Sequence, residues 1–444
     1  MRSIVLFALL GLAGEAAAAS SALNIDRTTM TRLGALAPGA SIVIDRFPDI
    51  AGGSASIQFR RVDLYAPKAR ILVIDDTGEH ELPRSRRVTL IGANAAGDFR
   101  VSLSFDPATQ HLSGVGTTSS GTFVVKSEHV AKGMRLRAVP VESTYPAGVV
   151  PQIVGDDDGL ASGRPMPSAL KIALAGQQPS GALRNAVVAV DTDNEFMSVR
   201  FGNNTTAAAD WIADLFVTMN VMYERDLNVT LLQGTTMLRT APDPYSQDGV
   251  PAADRPDLEE FGDYWDANYD AIQRSFAMLL SGKSPSGNQA SGIAWINAYC
   301  ENQSQGGSYS FNEIFTNSQI DISLSARIVG HEIGHNFGAW HTHCTNTSTG
   351  AAPTGSNTID QCYKGEAGSG CYGGAVSCPT SGPGHPLGTL MSYCNVSGPN
   401  GANCGQNVLQ FHPTQIGTLN TLIAQHPTCI VNGGADLIFR NGFD

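Results

Sequence analysis

The sequence predicts an α/β domain with a mostly parallel sheet and one motif-bearing helix, preceded by a β-rich N-terminal domain. Three observations predict it. Between residues 40 and 140, short alternating runs are separated by Gly, Pro and Asp, the pattern of half-buried strands and turns. From residue 186 onward, strand-length apolar runs interleave with helix-length ones, as in a parallel sheet with crossover helices. All eight cysteines fall between Cys300 and Cys429, which divides the chain in two.

At 444 residues the chain exceeds one ordinary core, leaving room for a regulatory and a working part. A composition of 42% apolar and 15% charged residues fits a soluble globule better than a disordered polyelectrolyte or a membrane bundle. The net charge of -12 repels phosphate backbones, so no nucleic-acid partner is expected.

Taken in order, the first 22 residues read as an export signal: Arg2, an apolar run over 4–13, then Ala17-Ala18-Ala19, with cleavage expected after Ala19. A membrane anchor is the competing reading, but the run is shorter than the ~20 apolar residues a bilayer needs. No later segment is long and apolar enough, so a secreted protein with no stable membrane association is expected. Strands are predicted over 41–45, 55–64, 70–75, 87–92, 99–105 and 121–126. Residues 140–179 have linker chemistry, rich in Pro, Gly, Ser and Asp, and place a boundary between an N-terminal region of 20–180 and a domain of 181–430. Within the latter we predict a strand over 186–191, a helix over 206–223, a strand over 228–232, a helix over 258–279 and a strand over 293–298, with 431–444 as a tail. An even cysteine count behind an export signal implies disulfides, with about 105 possible pairings. Zinc-thiolate knuckles are the alternative, but no C-x-x-C pair is present.

Residues 328–343 read I-V-G-H-E-I-G-H-N-F-G-A-W-H-T-H, and their core fits H-E-x-x-H-x-x-G-x-x-H. His331 and His335 are four apart, so on a helix they share one face within reach of a single ion. Val329, Ile333 and Phe337 repeat on the opposite face and give the helix an apolar stripe to bury. Gly338 can take the left-handed conformation that turns the chain and brings His341 round as a third ligand. Three neutral imidazoles leave the fourth position of a tetrahedral Zn2+ open, the arrangement of a catalytic site. Glu332, beside the first ligand, is the candidate general base. A chance histidine cluster on a structural helix is the plain alternative. His343, two residues beyond the third ligand, is expected at the rim, and His80, His111 and His426 are expected to be ordinary surface or turn residues.

This motif resembles that of the metzincins, a group of zinc peptidases marked also by a later Met-turn. Gly388-Thr389-Leu390-Met391-Ser392-Tyr393-Cys394 resembles that turn, which implies Met391 as an apolar floor beneath the metal, against the reading of a plain core methionine. Tyr393 is similar to a tyrosine that in some metzincin branches approaches the zinc and stabilises the oxyanion; a structural tyrosine is the alternative. The chain looks closest to reprolysin-like (adamalysin-related) peptidases over about 185–430: the runs 277–282 and 292–295 with Cys300 resemble the approach to an edge strand that pairs with extended substrate. The resemblance implies a metzincin catalytic domain with one catalytic Zn2+, a Cys300–Cys429 bond, a structural Ca2+ near Asn432, and a monomer acting on protein or peptide substrates. Thr342 departs from the Asp usual in reprolysins, and Tyr393 is similar instead to astacin-like or serralysin-like branches.

Between His341 and Met391 lie some fifty residues rich in Gly, Ser and Thr with four cysteines. Such a segment cannot hold itself by core burial, so disulfides must staple it, either to border the cleft or as a passive insertion. The order of export signal, β-rich region, linker and zinc motif is that of a zymogen. No Cys precedes Cys300, which excludes a thiol latch, and Asp156-Asp157-Asp158 offers carboxylates instead. An adhesion or substrate-targeting module, with little peptidase activity, is the other reading of the N-terminal region. The last seven residues resemble an element found on secreted proteins of some Gram-negative bacteria, so a bacterial extracellular protein is expected.

Overall fold

The computed structural model describes residues 22–118, 121–153, 182–247, 253–284 and 286–433. The export signal, the acidic run at 156–158 and the C-terminal heptapeptide lie outside them. The N-terminal region contains β1 (Ala22–Asp26), helix α1 (Arg27–Gly34), β2 (Ser41–Pro48), β3 (Ser54–Arg61), β4 (Ile71–Asp75), β5 (Gly78–Leu82), β6 (Val88–Ala93), β7 (Arg100–Asp106), β8 (His111–Thr118), β9 (Gly121–Val130) and β10 (Gly133–Pro140). Eight of these strands form an antiparallel sheet in the order β1-β10-β9-β8-β7-β6-β3-β2. Alternation sets its faces: in β2, Ile42 and Ile44 are buried while Ser41, Val43 and Asp45 are exposed. Phe47, Phe59, Phe99 and Phe123 pack edge-on or tilted at the centre of its core.

The second region contains β11 (Gln152–Ile153), β12 (Arg184–Thr192), α2 (Thr205–Leu227), β13 (Val229–Arg239), α3 (Arg255–Tyr269), β14 (Phe276–Ser281), β15 (Gln289–Ala294), β16 (Tyr309–Glu313), α4 (Ile322–Asn336), α5 (Pro413–Gln425) and β17 (Val431–Asn432). Its sheet runs β11-β15-β16-β14-β12-β13-β4-β5, with β17 on β12. The central pairs β16-β14, β14-β12, β12-β13 and β13-β4 are parallel, whereas β15 runs antiparallel to β16 and β5 to β4. Helix α4 packs on β15 and β16, and α2 fills the space between α4 and the outer face of β6, β7 and β8.

Several expectations are corrected. The helix expected over 258–279 ends at Tyr269, and Phe276–Ser281 is a central strand. That run is buried at all six positions, so it carries no periodicity to separate helix from strand. The strand expected at 293–298 lies at Gln289–Ala294, and β16 was not foreseen. The tail begins inside the sheet, since Val431 and Asn432 pair with Asn185 and Arg184. The hairpin β4-β5 extends the second sheet at one end and β11 pairs with β15 at the other, so chain from the first region covers both edges. The first part of the linker is packed as well: Val141 is buried, and Tyr145, Val149 and Ile153 lie against Phe315, Leu324 and Ile328. Among the described residues, no helix is long and apolar enough to cross a membrane.

Candidate metal centre

Helix α4 begins where Asp321 accepts the Ser323 N–H at 2.9 Å. It is buried from Ser323 to Asn336, with Val329, Ile333 and Phe337 at zero exposure, so its orientation is set by the core. The helix stops at Asn336, and Gly338 at φ +99° reverses the chain; a Cβ there would lie 2.5 Å from Leu422 Cδ1. His341 thereby returns to the face of the helix that carries His331 and His335.

The Nε2 atoms of His335 and His331 each lie 3.2 Å from His341 Nε2. Each ring is turned by a partner on its far nitrogen. His331 Nδ1 donates to the Leu390 carbonyl at 2.8 Å, His335 Nδ1 to the Ala339 carbonyl at 2.7 Å, and His341 Nδ1 to the Glu366 carboxylate at 2.9 Å. These bonds place the protons on Nδ1, so three Nε2 lone pairs face one point. Lone pairs at that spacing repel unless a cation lies between them. A tetrahedral ion with bonds of about 2.0–2.1 Å holds its ligand atoms roughly 3.3 Å apart, so the residues present fit zinc. Burial, and after it the neighbouring imidazoles, hold His331 well below the usual histidine range, and burial with His341 holds His335 down at about 3. Both rings are neutral at neutral pH, as metal ligation requires.

Glu332 is buried beside this point, and its side chain lies against β15: a Cβ on Gly292 would be 2.5 Å from Glu332 Cγ and 2.6 Å from Oε1. Only a bare backbone at 292 leaves the carboxylate room to lie there. Met391 is fully buried under the helix, its Sδ 2.8 Å from where a Cβ on Gly334 would stand. The Met391 carbonyl accepts the Thr342 N–H at 3.0 Å, Thr342 Oγ1 donates to Ser392 Oγ, and Ser392 Oγ donates to Asp360 at 2.7 Å. Thr342 thus ties the residue after the third histidine to the turn at 391. The Tyr393 ring packs 4.3 Å from that of His341, centroid to centroid.

Two residues at the site were missed in the sequence. Glu366 is buried, accepts from His341 and is bonded to His343 Nε2; burial pushes its carboxyl up, but the two facing histidines outweigh this and hold it well below the usual range. Asp360, bonded to Ser392, is the other. A signal was available: the segment between His341 and Met391 contains just these two acidic residues, and both are buried at the site. His343 is corrected from rim to interior, since it has zero exposure and its ring stacks on His341 with centroids 5.3 Å apart. Asn432 is exposed in β17, and the described groups that could hold a metal do not include its surroundings, so calcium finds no support. His80 and His111 are exposed, while His426 is half-buried and stacks on Tyr299.

The pairings left open are Cys344–Cys371, Cys362–Cys394 and Cys378–Cys404, while Cys300–Cys429 forms as the resemblance implies. A cleft of about 390 Å3, counting its open mouth, is lined by Ile153, Gly292, Arg327, His331, Glu332 and Tyr393. No curated protein matches the chain. Residues 183–403 match the model of metallo-peptidase family M12, reprolysin type, a range that contains the three histidines, Glu332, Glu366, Met391 and Tyr393. The chain therefore belongs, through this region, to the reprolysin-like metallopeptidases of family M12, a zinc-dependent family.

Proposed function

We propose that the chain is a secreted zinc endopeptidase in which His331, His335 and His341 hold the metal, Glu332 is the general base, and residues 20–180 impose latency. The observation that carries the reading is the convergence of three Nε2 lone pairs, each fixed by an Nδ1 partner, beside a buried carboxylate. Zinc at that point supplies Lewis acidity, which polarises a peptide carbonyl and makes water acidic enough to lose a proton near neutral pH. Glu332 takes that proton and passes it to the leaving amine. Gly292 keeps Glu332 facing the ligands by leaving space beside β15, and β15 offers its backbone to an extended substrate. Met391 supports the helix from below, and Glu366 holds the His341 ring in the tautomer that ligates. Tyr393, packed on His341 and lining the cleft, would be the group to stabilise an oxyanion.

Latency has its own support. The backbone of β11 pairs in parallel with Gln289 and Ala290 of β15, and Ile153 lines the cleft beside His331 and Glu332. A substrate strand must displace this segment, so cutting or releasing it activates the enzyme.

Digestion of casein and a peptide library tests both parts. The wild type is expected to cut once chain upstream of residue 183 is cleaved or released, and Glu332→Gln to lose about 10²–10⁴-fold while still binding zinc. Chelation abolishes cutting and added zinc restores it. Activity that survives both Glu332→Gln and chelation overturns the mechanism, and an uncut chain as active as a processed one overturns the latency.

A further inference from the structure

Arg327 stands four residues before His331, one turn along the same face of α4. It is only 4% exposed, and none of its three guanidinium nitrogens has a hydrogen-bond partner among the described residues. The side chain reaches two adjoining spaces: the cleft shared with His331, Glu332 and Tyr393, and an open pocket of about 550 Å3, counting its mouth, shared with Glu142, Ser323 and Gln406. Burial draws its pKa down to about 10, against the opposite pull of Tyr145 and Glu142, so it remains a cation at neutral pH. A buried charge without a partner is costly unless a counter-charge arrives. Among the described residues, the carboxylate whose charge acts on it is Glu142, across the shared pocket, in the same 141–153 stretch that ends in β11. When that stretch leaves the cleft, the guanidinium faces whatever enters beside the metal ligands.

We infer that this cleft selects substrates carrying an acidic side chain, Glu or Asp, next to the scissile bond, with Arg327 as the specificity-determining counter-charge; the inference rests on the peptidase reading above. Arg presents a fixed fork of donors to a carboxylate, and a neutral isostere would leave those donors unmet.

The test uses the full-length, zinc-loaded protein with whatever self-processing it undergoes, and peptide pairs that differ only by Glu or Gln at each position flanking the cut. At one of these positions the Glu peptide is expected to show a kcat/KM at least about tenfold higher than its Gln partner, the scale of a hydrogen bond to a charged group. Arg327→Gln is expected to bring that ratio to near one, and Arg327→Glu to shift preference toward Lys. Equal cutting of both peptides by the wild type, or a full Glu preference in Arg327→Gln, overturns the inference. If the variants do not fold, the wild-type ratio decides alone. If no peptide is cut even after the chain has been cleaved upstream of residue 183 by limited proteolysis, the peptidase reading fails, and fluorescence anisotropy of the same labelled peptides on that cleaved, zinc-loaded protein still decides: at least about tenfold tighter binding of the Glu peptide sustains the role of Arg327, and equal affinity ends it.

Discussion

Helix α4 and the segment 342–404 face the same point, but different forces hold them there. The helix is enclosed by apolar groups: the Phe337 ring lies 4.8 Å from Phe276, 5.6 Å from Tyr223 and 5.7 Å from Tyr299, and Gly330 lets Met222 pack directly on the backbone. The segment has no comparable core of its own; three disulfides staple it internally, Thr342 and Asp360 both bond to Ser392, and Glu366 bonds to His341. The helix carries His331, His335 and Glu332, whereas the segment supplies Leu390 and Glu366, which orient His331 and His341, and Met391, which lies under the helix. The division teaches that the positions of these rings are a property of the global fold, whereas the orientation of His331 and His341 is a property of a stapled surface.

That contrast can be broken by experiment. The largest effect is expected from Phe337→Ala, which should cost about 3–5 kcal/mol of global stability as a cavity in an aromatic cluster, read by chemical denaturation. Removing the Cys362–Cys394 bond by a double alanine substitution opens a loop of separation 32, worth about 3–4 kcal/mol in chain entropy, but this should appear as local loosening: zinc affinity falls while the global transition moves much less. If the double variant melts the whole protein as Phe337→Ala does, the segment is part of the core and the contrast is wrong. The smallest effect is expected from Glu366→Gln, which should lower zinc affinity about 10–100-fold with little change in the melting of the metal-free protein. A competition titration with a zinc chelator reads this, and unchanged affinity would show that His341 is oriented by other means.

The second contrast is between what periodicity reports and what pairing decides. Ligand spacing on α4 was legible because i and i+4 share a face in any helix, and the turn at Gly338 because a positive φ favours glycine there. Strands β2, β3, β6, β7 and β9 were legible because half-buried strands alternate, whereas β1, β8 and β10 and the pairing of the strands were not. Phe276–Ser281 was misread as helix because burial on both faces removes the alternation, and β16 passed unnoticed among polar residues. His343 was placed at a rim because nothing in its neighbours announces the carboxylate that draws it inward, 23 residues further along the chain.

By itself, then, the sequence singled out three histidines whose Nε2 atoms converge, the helix that carries His331 and His335, the Cys300–Cys429 expectation through resemblance, and a β-rich stretch ahead of an α/β one. These depend on local geometry, in which a spacing of three or four residues already specifies a direction. Only the tertiary structure decided that Glu366 orients His341, that β4 and β5 extend the second sheet, that β11 lies on the strand beside the cleft, and that Arg327 is buried facing it. Each of these joins residues far apart in the chain, and long-range contacts are fixed by which surfaces remain to be covered once the core has formed.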